Sequence, residues 1–129
     1  MARAPAGSFW TVVGVFVLFG PPLGGFALVV LELLRAGPPD FGWAVIAVIA
    51  SPIAGILPAA ATGLGAAAIS SRVGSRLLWA LACAALGASL AGLVLGGGGF
   101  LPGGDIAAVG GAAGLGAALL SLPVRPRWR

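Results

Sequence analysis

The sequence predicts an all-α integral membrane protein, a bundle of four transmembrane helices with both termini in the cytoplasm. The first observation behind this prediction is hydrophobicity: four apolar stretches approach or exceed the roughly 20 residues that a helix needs to cross a bilayer. They lie at residues 9–34, 43–69, 77–95 and 106–122. The second observation is charge: six of the seven arginines precede the first stretch, separate the second from the third, or follow the fourth. Because basic residues collect on the cytoplasmic side, these three segments are expected in the cytoplasm.

The composition excludes an ordinary soluble domain. Only 8% of the 129 residues are charged, whereas soluble domains use about 25% to cover a surface that faces water. The net charge of +4 is compatible with nucleic acid, but the arginines are divided among connections and a C-terminal tail and form no single patch. Anionic lipid headgroups, which attract nearby basic residues by about 1 kcal/mol each, explain them better. The expected partner is therefore the lipid bilayer, and nucleic acid is not expected.

The connections between the apolar stretches are short, so we expect one transmembrane domain over residues 1–129 in which consecutive helices pack as antiparallel neighbours. Tryptophan supports the predicted boundaries, since Trp10, Trp43 and Trp79 each lie near the start of a stretch. Indole rings favour the headgroup level of a membrane. We therefore expect these three side chains at the membrane surfaces.

Prolines lie inside the first two stretches and are absent from the last two. Two consecutive prolines in the sequence GPPLGG at 20–25 remove two backbone donors and clash with the preceding turn, so a straight first helix is not expected. Interrupted helices near the middle of a membrane hold ions or substrates in some transporters, whereas prolines elsewhere only kink a helix. Both interpretations remain open. The residues of this candidate midplane break are Gly20, Pro21, Pro22, Gly24, Gly25, Pro52, Gly55, Pro58 and Thr62.

Small residues recur every four positions and predict close helix packing. Gly87 and Ala91 show this spacing in the third stretch. Small side chains at this interval allow two helix backbones to approach each other closely. We expect them to pack the bundle, with a dimer face as the alternative. The residues of this possible packing face are Gly55, Ala59, Gly63 and Ala67 in the second stretch and Gly110 and Gly114 in the fourth.

Few side chains in the apolar stretches carry charge or reactivity. Glu32 is the only acidic residue within a stretch, and Arg35 follows three positions later on the same helical face, so the two are expected to pair at the membrane surface. Asp40 and Asp105 lie in the connections of the opposite side and are expected to be solvated. Cys83 is the only cysteine and is expected to be a buried structural thiol.

No motif in the chain indicates a reaction. The glycine-rich connection at 96–104 lacks the lysine and the Ser/Thr of a phosphate-binding loop. The chain has no histidine, lysine or tyrosine and no buried pair of carboxylates, so the usual groups for general acid–base catalysis are missing. We expect no enzyme activity, no cofactor and no metal site.

The sequence GPPLGG at 20–25 together with LPAAATG at 57–63 resembles small four-helix bacterial inner-membrane proteins without assigned activity. Some of these carry a similar break in helix one and a P-A-x-x-T-G element in helix two. The resemblance covers roughly the first half of the chain and implies an inner-membrane location, but it transfers no functional residue. Small multidrug transporters, with a carboxylate deep in helix one, and fluoride channels, with an asparagine-bearing helix, do not match.

These observations favour a non-catalytic function. The chain is expected to be an accessory or scaffold protein that packs with itself or with a larger membrane partner. The alternative is a small homo-oligomeric transporter or channel that uses the proline- and glycine-rich parts of the first two helices.

Overall fold

The computed structural model describes residues 6–38, 40–70, 72–95 and 103–123. These residues form four α-helices: α1 (Ala6–Ala36), α2 (Phe41–Ile69), α3 (Arg76–Leu95) and α4 (Gly103–Ser121). Each helix is long and apolar enough to cross a membrane, and the predicted all-helical, four-helix class is confirmed. The basic segments at Arg3 and at 125–129, and most of the glycine-rich connection, lie outside the described residues.

The four helices pack in a ring in which α1 contacts α2, α2 contacts α3, α3 contacts α4, and α4 returns to α1. The pairs α1–α2 and α3–α4 have the most extensive contacts, and α2–α3 the least extensive of these four. Val12 from the start of α1, Ala66 from the end of α2, Trp79 from the start of α3 and Ala117 from the end of α4 share one core cluster. Consecutive helices therefore run antiparallel. We call the end that contains this cluster the closed end, and the opposite end, where α1 finishes and α4 begins, the open end.

The prolines lie within continuous helices, and this continuity is compatible with the kink interpretation of the predicted site. α1 continues through Pro21 and Pro22, and α2 continues through Pro52 and Pro58. A proline removes only its own N–H, which leaves one carbonyl without its partner while the flanking turns keep theirs. Neighbouring helices and hydroxyl side chains satisfy such carbonyls in transmembrane helices. The structure therefore gives these residues no unwound backbone with which to hold an ion.

The connection between α1 and α2 uses standard helix ends. Gly37 follows the last residue of α1 with a φ of 89°, the left-handed conformation that glycine adopts most easily after a helix. Asp40 caps α2 and accepts a hydrogen bond from the backbone N–H of Trp43 at 3.4 Å. Its side chain is exposed, as expected for a residue outside the apolar stretch. The turn thus reverses the chain within a few residues.

Trp79 lies inside the protein, which corrects its predicted position at a membrane surface. Its exposure is 0%, whereas Trp10 is 65% exposed and Trp43 39% exposed. Trp79 lies one turn into α3 and packs in the core cluster together with Cys83, which is one turn further along and is also buried, as expected. Three tryptophans near helix starts therefore have different environments: Trp10 and Trp43 are exposed, and Trp79 is packed in the core.

Candidate cavity between two helix pairs

The small residues of α2 form the contact between α1 and α2. A Cβ atom built on Gly55 would lie 3.1 Å from the Cβ of Pro21, and one built on Gly63 would lie 3.0 Å from the Cβ of Phe16. Between them, Ala59 packs against Gly20 of α1, where a Cβ would meet that of Ala59 at 3.1 Å. Ala67 continues this face into the core cluster at the closed end. The predicted packing face of α2 is therefore occupied by contacts within the chain.

The contact between α3 and α4 is closer still. A Cβ on Gly114 would lie 2.5 Å from the carbonyl oxygen of Cys83, and a Cβ on Gly87 would overlap the carbonyl oxygen of Gly110. Ala91 presents its Cβ to Gly110 one turn further towards the open end. Such close backbone contact requires a glycine on at least one side of each contact, because a side chain there would separate the helices. Gly110 and Gly114 thus serve the packing of this helix pair.

A cavity of about 290 Å³ separates the two helix pairs towards the open end. All four helices contribute to its wall, which runs along α1 from Phe16 to Leu28. At 1.5 Å per residue this is a length of about 18 Å, so the cavity is long and narrow. Small residues form most of the wall, and this explains why the space is not filled.

The structure brings together most of the residues predicted for the midplane site. Pro22 and Pro52 do not contribute to the wall, and both are exposed. Of the nine predicted residues, all within the described ranges, the seven that line the cavity are Gly20, Pro21, Gly24, Gly25, Gly55, Pro58 and Thr62. They meet as the wall of an apolar space and not as an unwound segment of helix.

Sequence reasoning missed a second part of the wall. Ala47, Ala50 and Ala54 line the cavity from α2, together with Val109 and Ala113 of α4. The three α2 alanines recur at helical spacing and mark one face, a signal that was available in the sequence. The α4 residues carry no such signal, since that helix is rich in alanine and glycine on all sides.

The polar groups in the wall already have partners. The Ser51 hydroxyl donates to the carbonyl of Val48 at 2.8 Å, and the Thr62 hydroxyl donates to the carbonyl of Pro58 at 2.7 Å. No ionisable side chain lines the cavity in the part of the chain that the structure describes. The wall therefore offers little to an ion or a polar solute and suits an apolar group.

The hydroxyl of Ser51 compensates for the proline that follows it. Residue 52 would donate its N–H to the carbonyl of Val48 in an uninterrupted ladder, and Pro52 cannot. We expect Ser51→Ala to lower the free energy of unfolding by about 0.5–1.5 kcal/mol, the usual contribution of one hydrogen bond. In a Pro52→Ala background, which restores the backbone donor, the same substitution should cost clearly less. Unfolding in detergent measures both values, and an equal cost in the two backgrounds would contradict this role.

An ion pair joins two helices at the open end. The Arg35 guanidinium donates to the Asp105 carboxylate, linking the end of α1 to the first turn of α4. Two expectations are thereby corrected: Arg35 pairs with Asp105 and not with Glu32, and Asp105 is buried and not solvated. The physical reason is that α4 begins at Gly103, earlier than predicted, which places Asp105 within the helix where a carboxylate also complements the helix dipole.

Comparison with known proteins adds no family to these findings. No protein-family model, no curated protein and no solved structure matches the chain. The described residues contain no group of His, Cys, Asp or Glu side chains that could hold a metal ion. The resemblance of the first two helices to bacterial inner-membrane proteins stays a prediction, and the cavity and helix surfaces carry the functional argument.

Proposed function

We propose that the protein is a multi-pass protein of a bacterial cytoplasmic membrane that acts as a non-catalytic accessory or scaffold protein. It packs with itself or with a larger membrane partner, and both of its termini lie in the cytoplasm. The resemblance of the first two helices supports the bacterial location, and the four apolar helices support membrane insertion.

The distribution of charge supports this orientation. Arg72 and Arg76 are exposed at the closed end. Arg35, the arginine at the open end, is paired with Asp105, so its charge is balanced within the protein. Basic residues retained on one side of the membrane identify that side as cytoplasmic. The closed end is therefore assigned to the cytoplasm.

The observation that carries the scaffold function is the exposure of α2. Only 6% of its most apolar 18-residue segment is buried inside the bundle, against 28% to 33% for the other three helices. α2 contacts α1 more extensively than it contacts α3, and its open-end half presents exposed branched side chains such as Ile46, Ile49 and Ile53. Helices in membranes associate by van der Waals packing, so a further helix packed on α2 would give it the burial that the other helices already have.

The experiment is purification of the tagged protein from native membranes in mild detergent. The mass of the purified particle and its protein composition are then measured. We expect a stoichiometric partner or a defined homo-oligomer. Ile53→Ala, at a side chain that is 85% exposed on α2, should weaken the association. Leu93→Ala is the matched control, because Leu93 is 80% exposed on α3. A particle with one copy and no partner, or equal loss in both variants, would refute the scaffold function.

The cavity favours a second candidate function, the small homo-oligomeric transporter or channel. Residues from all four helices surround it, as in a transport pathway, and its apolar wall restricts the cargo to apolar molecules. Replacing Pro21, Pro22 and Pro58 with alanine separates the two functions. Loss of flux in liposomes with intact assembly supports transport, whereas unchanged flux or the absence of any flux supports the scaffold.

A further inference from the structure

We propose that the cavity between the two helix pairs binds one acyl chain of a bilayer lipid, which enters from the membrane between α2 and α3. This site is independent of the scaffold function, because it uses the interior of the bundle and not the exposed face of α2. The part of the lipid that the site recognises is its hydrocarbon chain and not its headgroup.

The shape of the cavity selects a flexible chain over a helix. Even the whole free space of the cavity, about 1000 Å³ with its open side included, is smaller than the roughly 1400 Å³ taken up by an 18 Å length of helix about 10 Å in diameter. A partner helix therefore cannot enter. An extended chain advances about 1.2 Å per bond, so an acyl chain of about 15 bonds has the length of the wall.

The chemistry of the wall selects hydrocarbon over water. Because the hydroxyls of Ser51 and Thr62 already donate to carbonyls of their own helix, a water molecule would find few of the polar partners that it needs. An empty apolar cavity loses packing contacts in proportion to its volume. A lipid chain restores these contacts, and the membrane supplies such chains at high concentration.

The cavity is accessible from the side. Ala50 and Ala54 line it and are also exposed, so it opens alongside α2. α2 has two neighbours in the ring, and its contact with α3 is less extensive than its contact with α1. On the far side of the opening, Leu95 of α3 belongs to the same wall. A chain that enters between α2 and α3 therefore reaches the glycines of α1 without any helix having to unfold.

Substitutions that fill the cavity test the site. A Cβ on Gly24 would make only ordinary contacts, 3.8 Å from the Cβ of Ala113 and 3.9 Å from Val109, so Gly24→Leu fills the space from α1. Ala54→Leu fills it from α2. Ala85→Leu is the control, because Ala85 is exposed on α3 and does not line the cavity. The circular dichroism and thermal midpoint of each variant without lipid report folding, and the filled variants should be at least as heat-stable as the parent.

The binding experiment is native mass spectrometry of the delipidated full chain with added lipid. The probes are phosphatidylglycerol and phosphatidylethanolamine with 16-carbon chains, and the same lipids with 8-carbon chains. We expect one tightly held lipid per chain, the same for both headgroups and weaker for the short chains. Gly24→Leu and Ala54→Leu should weaken it roughly tenfold, the change expected when about two methylenes of the lipid lose their place in the cavity, and Ala85→Leu should not.

Three outcomes would overturn the proposal. The first is equal lipid retention by the parent and by both filled variants. This result would mean that lipid binds only to the outer surface of the protein. The second is a preference that follows the headgroup and ignores chain length. The third is a dimer without lipid in which the partner's side chains protect the cavity.

Discussion

Replacing Trp79 with alanine is expected to lower the free energy of unfolding by about 3–5 kcal/mol, the range measured when large aromatic side chains are removed from protein cores. The ring is fully buried and packs in a cluster to which all four helices contribute, including Phe16, Ala66 and Ala117. Its removal leaves a void in the core cluster at the closed end. The loss should therefore affect the whole bundle and not one helix pair.

Equilibrium unfolding in mixed micelles with increasing SDS measures this effect. Trp10→Ala is the matched control, since the Trp10 ring is 65% exposed and its removal opens no void. We expect a small change there, within the range of ordinary surface substitutions of about 0.5 kcal/mol. A larger decrease in the free energy of unfolding for Trp10→Ala than for Trp79→Ala would contradict the core position of Trp79. It would favour the membrane surface, which the position of Trp79 in the sequence indicates.

Gly87→Ala is expected to destabilise the protein by about 1–3 kcal/mol, the usual effect of adding a methyl group to a tightly packed core. The new Cβ would overlap the carbonyl oxygen of Gly110 and lie 3.2 Å from the Cα of Gly114. Both neighbours are backbone atoms of α4, which cannot rotate away as a side chain does. The helices α3 and α4 must therefore separate, and this also changes the wall of the cavity.

Gly92→Ala provides the control on the same helix. No atom lies within 4 Å of a Cβ built on Gly92, so the substitution only exchanges glycine for a better helix former, which favours the helix by up to about 1 kcal/mol. Thermal unfolding of both variants in detergent measures the contrast. Equal midpoints for Gly87→Ala and Gly92→Ala would contradict the close contact of α3 and α4.

Local sequence properties predicted the helices and the close packing of their small residues. The length and apolarity of each stretch placed its ends within a few residues of those observed, because these are properties of single segments. The four-residue spacing of Gly55, Ala59 and Gly63 predicted close packing, and these residues pack on α1. The spacing alone did not reveal which helix they would contact.

The properties that depend on tertiary structure were not predictable. Arg35 and Asp105 are 70 positions apart in the sequence, and only the contact of α1 with α4 brings them together. Trp79 has the same sequence context as Trp43, near the start of an apolar stretch. The two differ only in that Trp79 lies on the side of its helix that faces the interior of the bundle. The continuity of α1 through Pro21 and Pro22 depends on how the flanking turns are held. The cavity is a space between helix pairs, and no single segment encodes it.

The most direct test of the account is the side of the membrane on which each end of the bundle lies. In a Cys83→Ala background, Pro38→Cys places a thiol at the open end and Ser75→Cys places one at the closed end, both at exposed positions. Intact cells are treated with a thiol reagent that does not cross the cytoplasmic membrane. We expect Pro38→Cys to be labelled at once and Ser75→Cys to be labelled only after the membrane is permeabilised. The reverse pattern would contradict the orientation, and equal labelling of both in intact cells would contradict a bundle that spans the membrane.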